Sequence, residues 1–312
     1  MSGIKALVAL DGTELSESAL FVLPFLESLG MDQARLVSVW DDIEVPLNGW
    51  DKELEEAKAR GRAFLEAYLH EKVRVWQSPG LPLEHAVRVG PAGAELLAEA
   101  ETLQPDIFVI ATHGRTGVER WRVGSVAERV IRNIECPALV IGPNVITPLN
   151  PYNVERIVVP LDGSPLAEEA LPLAYAICQR VKAEIELIEV VHLPATWSAN
   201  PMVQPDPVEV LGWLEESARE YLARQLPGDT NVKRTVIRTA ATGGVSFDIT
   251  GYLQEEPAQL VVMTSHGRHG FARSVLGSVA DAMLRGPSPI LLVKPGRGTL
   301  AGLIAGPADY NN

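Results

Sequence analysis

Two stretches of this chain carry the same side chains at the same spacing. ATHGRTGVERWRVGS at 111–125 recurs as TSHGRHGFARSVLGS at 264–278. His113, Gly114, Arg115, Gly117, Gly124 and Ser125 answer to His266, Gly267, Arg268, Gly270, Gly277 and Ser278. Glycines set among cationic and hydroxyl side chains suit a phosphate. A residue without Cβ lets backbone N–H groups approach an anion closely, and a helix starting near each Gly-Ser pair adds the positive end of its dipole. Arg115 and Arg268 offer planar forks of donors that match phosphate oxygens, and they equally suit solvated loop positions. His113 and His266 have no Ser or Cys nucleophile arranged for them, so they read as packing or loop hydrogen-bonding residues rather than as bases.

Each loop needs a strand to deliver it and a helix to receive it. DIFVIA and QLVVMT are the apolar runs before the loops, SVAERVIRN and SVADAMLRG the helical patterns after them, and PALVIG and PILLVKP the closing strands. Upstream, IKALVALDG and RIVVPLDG read as buried strands ending in turns. Each is followed by apolar residues at helical spacing, with Ser164 as N-cap and Pro165 as first helical residue in the second copy. A second strand (ARLVSVW, EIELIEVV), a long amphipathic helix (52–70, 208–225), a third strand (AVRV, RTVIR) and a short helix (92–102, 244–255) complete each half. Strands alternating with helices imply parallel βαβ units, so each half is expected to be a doubly wound, Rossmann-like α/β domain of about five strands.

The expected organisation is a first domain at 1–142, a proline-bearing linker at 143–155, a second domain at 156–295 and a tail at 296–312. The closing strands are short, apolar and last in their sheets, which predicts that the halves cover these edges by packing together there. The insert HLPATWSANPMVQPDPVEV at 192–210 is longer and richer in proline than its counterpart DDIEVPLNGW and is expected to form an irregular loop, a candidate lid. The tail is expected to be loosely held or packed at a subunit contact.

In an open parallel sheet, ligands bind beyond the carboxyl ends of the strands where the strand order reverses. The residues at those ends are Asp11 and Asp162 after the first strands, Val39 and Val190 on the second, and Ala111 and Thr264 entering the glycine loops. A carboxylate, an apolar wall and an anion cradle suit a nucleoside phosphate. Asp-Gly is also ordinary turn chemistry, and strand valines are ordinary core residues. Duplication of the whole set is what favours a ligand.

Composition narrows the classes. The chain has 312 residues, length for about two domains. Its apolar runs fall short of the ~18 residues of a membrane helix, so no membrane association is expected. A net charge of −13 argues against a nucleic-acid partner or an anionic membrane surface. Cys136 and Cys178 stand in non-equivalent places and suggest no disulfide framework, only buried or half-buried thiols. MSGIKALVALDG lacks the apolar core and cleavage site of a signal peptide, which favours the cytoplasm.

The arrangement resembles the universal stress protein family as a tandem two-domain member. The family loop runs Gly, two residues, Gly, nine residues, Gly, then Ser or Thr. This chain keeps the spacing with Gly114, Gly124 and Ser125, and with Gly267, Gly277 and Ser278, but has Ala111 and Thr264 at the leading position. The opening Pro-x-Asp-Gly-Ser is intact at 160–164, while Ala9 replaces Pro in the first half. For members that bind ATP, the resemblance implies a nucleotide site formed by Ala9, Asp11, Val39, Ile110, Ala111, Gly114, Arg115, Gly117, Gly124, Ser125 and Val126. The second would comprise Pro160, Asp162, Val190, Met263, Thr264, Gly267, Arg268, Gly277, Ser278 and Val279. It implies ATP as ligand, with Mg2+ or Mn2+ on the phosphates rather than on metal-binding side chains, and self-association as a pseudo-dimer within the chain and as a homodimer.

The leading expectation is a cytoplasmic, ATP-binding stress-response protein acting as a binding module or slow switch. The alternatives are a slow ATP hydrolase or phosphotransferase, and a nucleotide-free dimerisation scaffold. A GxxxxGK[ST] loop and a GxGxxG fingerprint are both absent from the sequence, which disfavours fast P-loop turnover and dinucleotide chemistry. Thr264 and the insert predict that the second pocket differs from the first in affinity or ligand preference.

Overall fold

Why two domains should share one sheet follows from their last strands. In the computed structural model, the closing strand of each half, apolar on both faces, would be left open along one edge. The chain closes both edges by pairing them with each other. The structure describes residues 3–41, 51–112, 124–145, 149–150, 152–193, 206–226, 231–238, 244–264, 276–294 and 299–305.

The first half comprises β1 (Ile4–Ala9), α1 (Glu14–Glu17), α2 (Leu23–Ser28), β2 (Met31–Trp40), α3 (Asp51–Trp76) and β3 (Leu83–Val89). It continues with α4 (Ala92–Leu103), β4 (Ile107–Ala111), α5 (Ser125–Asn133) and β5 (Ala138–Ile141). The second half repeats the order with β6 (Arg156–Leu161), α6 (Pro165–Glu168), α7 (Leu171–Val181), β7 (Glu184–Val191), α8 (Pro207–Arg224) and β8 (Val232–Arg238). Then come α9 (Val245–Glu255), β9 (Leu260–Thr264), α10 (Ser278–Met283), β10 (Ile290–Val293) and a last helix, α11 (Thr299–Ala305).

The strands form one 10-stranded sheet in the order β3-β2-β1-β4-β5-β10-β9-β6-β7-β8. Pairing within each half is parallel. The central pair is antiparallel, with Ile290 opposite Val140, Leu291 opposite Leu139 and Leu292 opposite Ala138. This is the contact that the apolar closing strands predict. One face of the sheet carries a core with α2, α7 and α11 residues from both halves, and the other a core with α4, α5, α9 and α10 residues. Both cores run across the seam.

Three expectations are corrected. The stretch 13–30 is not one helix: it divides into α1, a 3₁₀ turn at Ser18–Val22 and α2, which restarts with Pro24 in its first turn. Proline lacks the N–H that a continuing helix needs and fits only where no such bond is due. The tail is not loose throughout. Leu300, Ala301 and Ile304 of α11 are buried in the core shared with α7, because an apolar helical stripe finds a partner inside its own chain. Helix α3 is also longer than the expected 52–70, reaching Trp76.

Candidate functional site

Each half reverses its strand order between its first and fourth strands, β1 and β4 or β6 and β9, which opens a crevice at their carboxyl ends. The residues expected there do converge. Ala9 and Pro160 are buried near the ends of β1 and β6, Ile110 and Ala111 at the end of β4, and Met263 and Thr264 at the end of β9. Val39 and Val190 are half-buried and pack against the core on the α4 and α9 side. Because β5 and β10 run antiparallel, the two crevices open at opposite ends of the shared sheet.

The aspartates are held by their own turns. The Asp11 carboxylate accepts from the Thr13 N–H at 3.0 Å and the Thr13 hydroxyl at 2.7 Å. Asp162 accepts from the Ser164 N–H at 3.0 Å and hydroxyl at 2.6 Å. Both turns need a left-handed residue, supplied by Gly12 at φ +83° and Gly163 at φ +76°. Thr13 and Ser164 then cap α1 and α6, accepting from the Ser16 and Ala167 N–H groups. The turn reading of Asp-Gly is thus correct, and it also fixes each carboxylate at the crevice.

The helices after the loops begin as expected. Gly124 and Gly277 occupy the N-cap positions of α5 and α10 and, having no side chain, give the first-turn N–H groups no cap of their own. Ser125 and Ser278 are exposed, and Val126 and Val279 half-buried. Gly114, Arg115, Gly117, Gly267 and Arg268, with His113, His266 and Gly270, lie outside the described residues.

A second repeated pair stands beside the aspartates, and motif reasoning missed it. Tyr68 of α3 donates to Glu17 Oε1 at 3.1 Å, and Lys72 ion-pairs with Glu17 Oε2 at 2.6 Å. Their counterparts are Tyr221, Glu168 and Gln225, with Gln225 donating to Glu168 at 3.3 Å. Burial, then the charges of Glu17 and Asp11, push the Tyr68 hydroxyl well above the ordinary tyrosine value. Burial, then Glu168, Glu189 and Asp162, do the same to Tyr221. The signal in the sequence is the Tyr-Leu pair at 68–69 and again at 221–222.

Among the described residues, no group of three or more His, Cys, Asp or Glu side chains is placed to hold a metal ion. Among them, too, no helix is long and apolar enough to cross a membrane. Cys136 is half-buried and Cys178 buried, both as free thiols.

The chain is thus a tandem pair of doubly wound α/β domains, each with a turn-held carboxylate and a glycine-started helix at its strand ends. The model of the universal stress protein family matches residues 5–142 and again 153–294, and the chain belongs to that family. It is 28% identical over 203 residues to the universal stress protein Rv2005c of Mycobacterium tuberculosis, a match covering 62% of this chain and 61% of that relative's length. With Rv1996 of the same organism, identity is 26% over 319 residues, covering 94% of this chain and 96% of the relative. The fold is that of a universal stress protein from Archaeoglobus fulgidus, with a TM-score of 0.64 at 17% identity over 93% of this chain and 96% of that one.

Proposed function

We propose that this member of the stress-response family binds ATP, with Mg2+ or Mn2+ on the phosphates, and acts as a binding module or slow switch in the cytoplasm. The observation that carries this reading is the repeated strand-end set: a turn-locked aspartate, a half-buried second-strand valine and a helix whose N-cap is a glycine, without a side chain of its own. In this reading Asp11 and Asp162 face the ribose hydroxyls, since an ionised carboxylate is an acceptor only. Val39 and Val190 pack against the base. The first turns of α5 and α10, with Gly114, Arg115, Gly117, Gly267 and Arg268, surround the phosphates. The cation's ligands are assigned to the phosphates. Homodimerisation is part of the same proposal.

Titration with a fluorescent ATP analogue, read as stoichiometry per chain and competed with unlabelled ATP, tests the reading. Saturation at one or two sites that ATP displaces is expected. Failure to saturate, together with no nucleotide released from freshly purified protein on denaturation, would leave the chain as a nucleotide-free scaffold.

A further inference from the structure

The seam between the halves ends differently on its two sides. The register of β5 with β10, continued two residues beyond Ala138 and Leu292, sets Cys136 opposite Lys294; continued the other way, it sets Gly142 opposite Ser288. The matching stretches CPALVIG and SPILLVK make the two pairs pseudo-symmetric, with Ser288 answering to Cys136 and Lys294 to Gly142. The Gly142 end is sealed. An added Cβ there would stand 2.5 Å from the Leu284 carbonyl oxygen, and the Ser288 side chain is buried. At the other end the chain places a thiol and an ammonium, both half-buried.

That end is also open. A cleft of about 200 Å³ reaches Cys136 between the ends of α4 and α5, with Leu97 and Ala100 on its apolar side and Glu101 and Glu135 on its polar side. The Lys294 ammonium donates to the Ile131 carbonyl in the last turn of α5, which holds it at this end of the seam. Burial weakens the hold of that ammonium on its proton, and a charge on the Cys136 sulfur opposes this. The coupling is mutual, since an ammonium that gains from a thiolate also stabilises it. Glu101 and Glu135 work against a thiolate, so its ionisation turns on Lys294. They also disfavour anionic reagents. Cys178, by contrast, is buried in the core at 3% exposure.

We propose that Cys136 is a modification site, a thiol that small neutral hydroperoxides oxidise to the sulfenic acid, with Lys294 opposite it as the group that ionises it. In the step, the sulfur lone pair forms an S–O bond as the peroxide O–O bond breaks. The leaving hydroxide takes a proton from the Lys294 ammonium and departs as water. Sulfur is oxidised, the peroxide is reduced, and the Lys294 amine regains its proton from solvent. The inference is independent of the nucleotide reading.

The test is treatment of the full chain with hydrogen peroxide in the presence of a dimedone-type trap, followed by mass spectrometry of the peptides that carry Cys136 and Cys178. Trapping at Cys136 ahead of Cys178, at a rate that rises with pH, is expected. Lys294→Gln keeps a donor for the Ile131 carbonyl and removes the charge, so it should slow trapping about three- to tenfold near neutral pH and move the rate profile to higher pH. Lys294→Arg keeps the cation and should restore most of the rate. No trapping at Cys136, trapping no faster than at Cys178, or a Lys294→Gln protein with the parent's rate and pH profile overturns the proposal. Circular dichroism and an unchanged rate at Cys178 confirm that each variant reacts in its folded state.

Discussion

The Lys294 ammonium, just past β10, donates to the backbone carbonyl of Ile131 in α5. On the other side of the seam, the Asn144 amide, just past β5, donates to the Arg285 carbonyl beyond α10 at 2.8 Å. Each loop helix therefore starts at its own half's crevice and ends against the last strand of the other half. Burial pushes the Lys294 ammonium's pKa down, and Cys136 nearby opposes that shift. A cation at a helix C-terminus satisfies carbonyls that the helix itself leaves without partners.

The seam is tight at Gly142, where an added Cβ would stand 2.5 Å from the Leu284 carbonyl oxygen. Gly142→Ala should therefore destabilise the protein by about 1–3 kcal/mol through forced backbone shifts. Chemical denaturation measures this, and an unchanged midpoint would mean that the halves yield at no cost.

Nucleotide binding should respond to Gly124→Val with little effect on the fold. Gly124 sits at φ −57° and ψ 141°, a conformation open to residues with side chains, so the backbone tolerates the exchange. A β-branched group at the start of α5 would occupy the approach to the first-turn N–H groups. Calorimetry on the folded variant should show the first site lost; unchanged affinity would remove the loop from the phosphate site.

Two buried carboxylates of the strand and helix layers, Glu99 and Glu186, make acid stability a readout of the sheet. Glu99 accepts from Arg35 at 2.8 Å and Arg88 at 2.6 Å. Glu186 accepts from Tyr252 at 2.8 Å and Arg156 at 2.6 Å, with Thr235 also donating. Burial alone would raise both pKa values, and the hydrogen bonds and cationic partners more than reverse it, so both lie below 4.5. A depressed carboxylate contributes stability that is complete above its unfolded value and is lost as pH falls through the folded one. The melting temperature should thus fall below pH 4.5 less steeply in a Glu99→Gln, Glu186→Gln protein than in the parent. Glu99→Ala should cost toward the lower end of about 3–5 kcal/mol, because Arg35 and Arg88 keep some contact with water.

The tyrosine pair predicts an asymmetry in the same measurement. Tyr68→Phe removes a formed hydrogen bond to Glu17 and should destabilise by about 0.5–1.5 kcal/mol. Tyr221→Phe removes a buried hydroxyl that makes none and should be neutral or slightly stabilising. Equal losses from both would contradict the difference in geometry.

The doubly wound fold, the tandem order and the pairing of the closing strands were all legible, because period-2 and period-3.6 patterns repeat in both halves and an apolar edge must be covered. The strand-end residues were legible from their types and positions. The Trp40 indole packed directly over Gly61 was not, since the two are distant in sequence and each is unremarkable alone. The sign reversal in the cross-strand ion pairs was equally hidden. Arg35 and Glu84 pair across β2 and β3, while Glu186 and Lys233 pair across β7 and β8 with the charges exchanged, so a repeat search sees mismatches where the structure has one layer built twice.

The antiparallel join of β5 to β10 has a kinetic meaning. Two halves on separate chains would meet at whatever concentration the cell provides and could exchange partners. Joined by residues 143–155, they meet at the millimolar effective concentration of a short tether, whatever the dilution. Their stoichiometry is fixed at one to one, and neither half can pair with a copy of itself through that edge while the join holds. A difference between the halves, such as Lys72 in one and Gln225 in the other, is therefore never averaged out by scrambling.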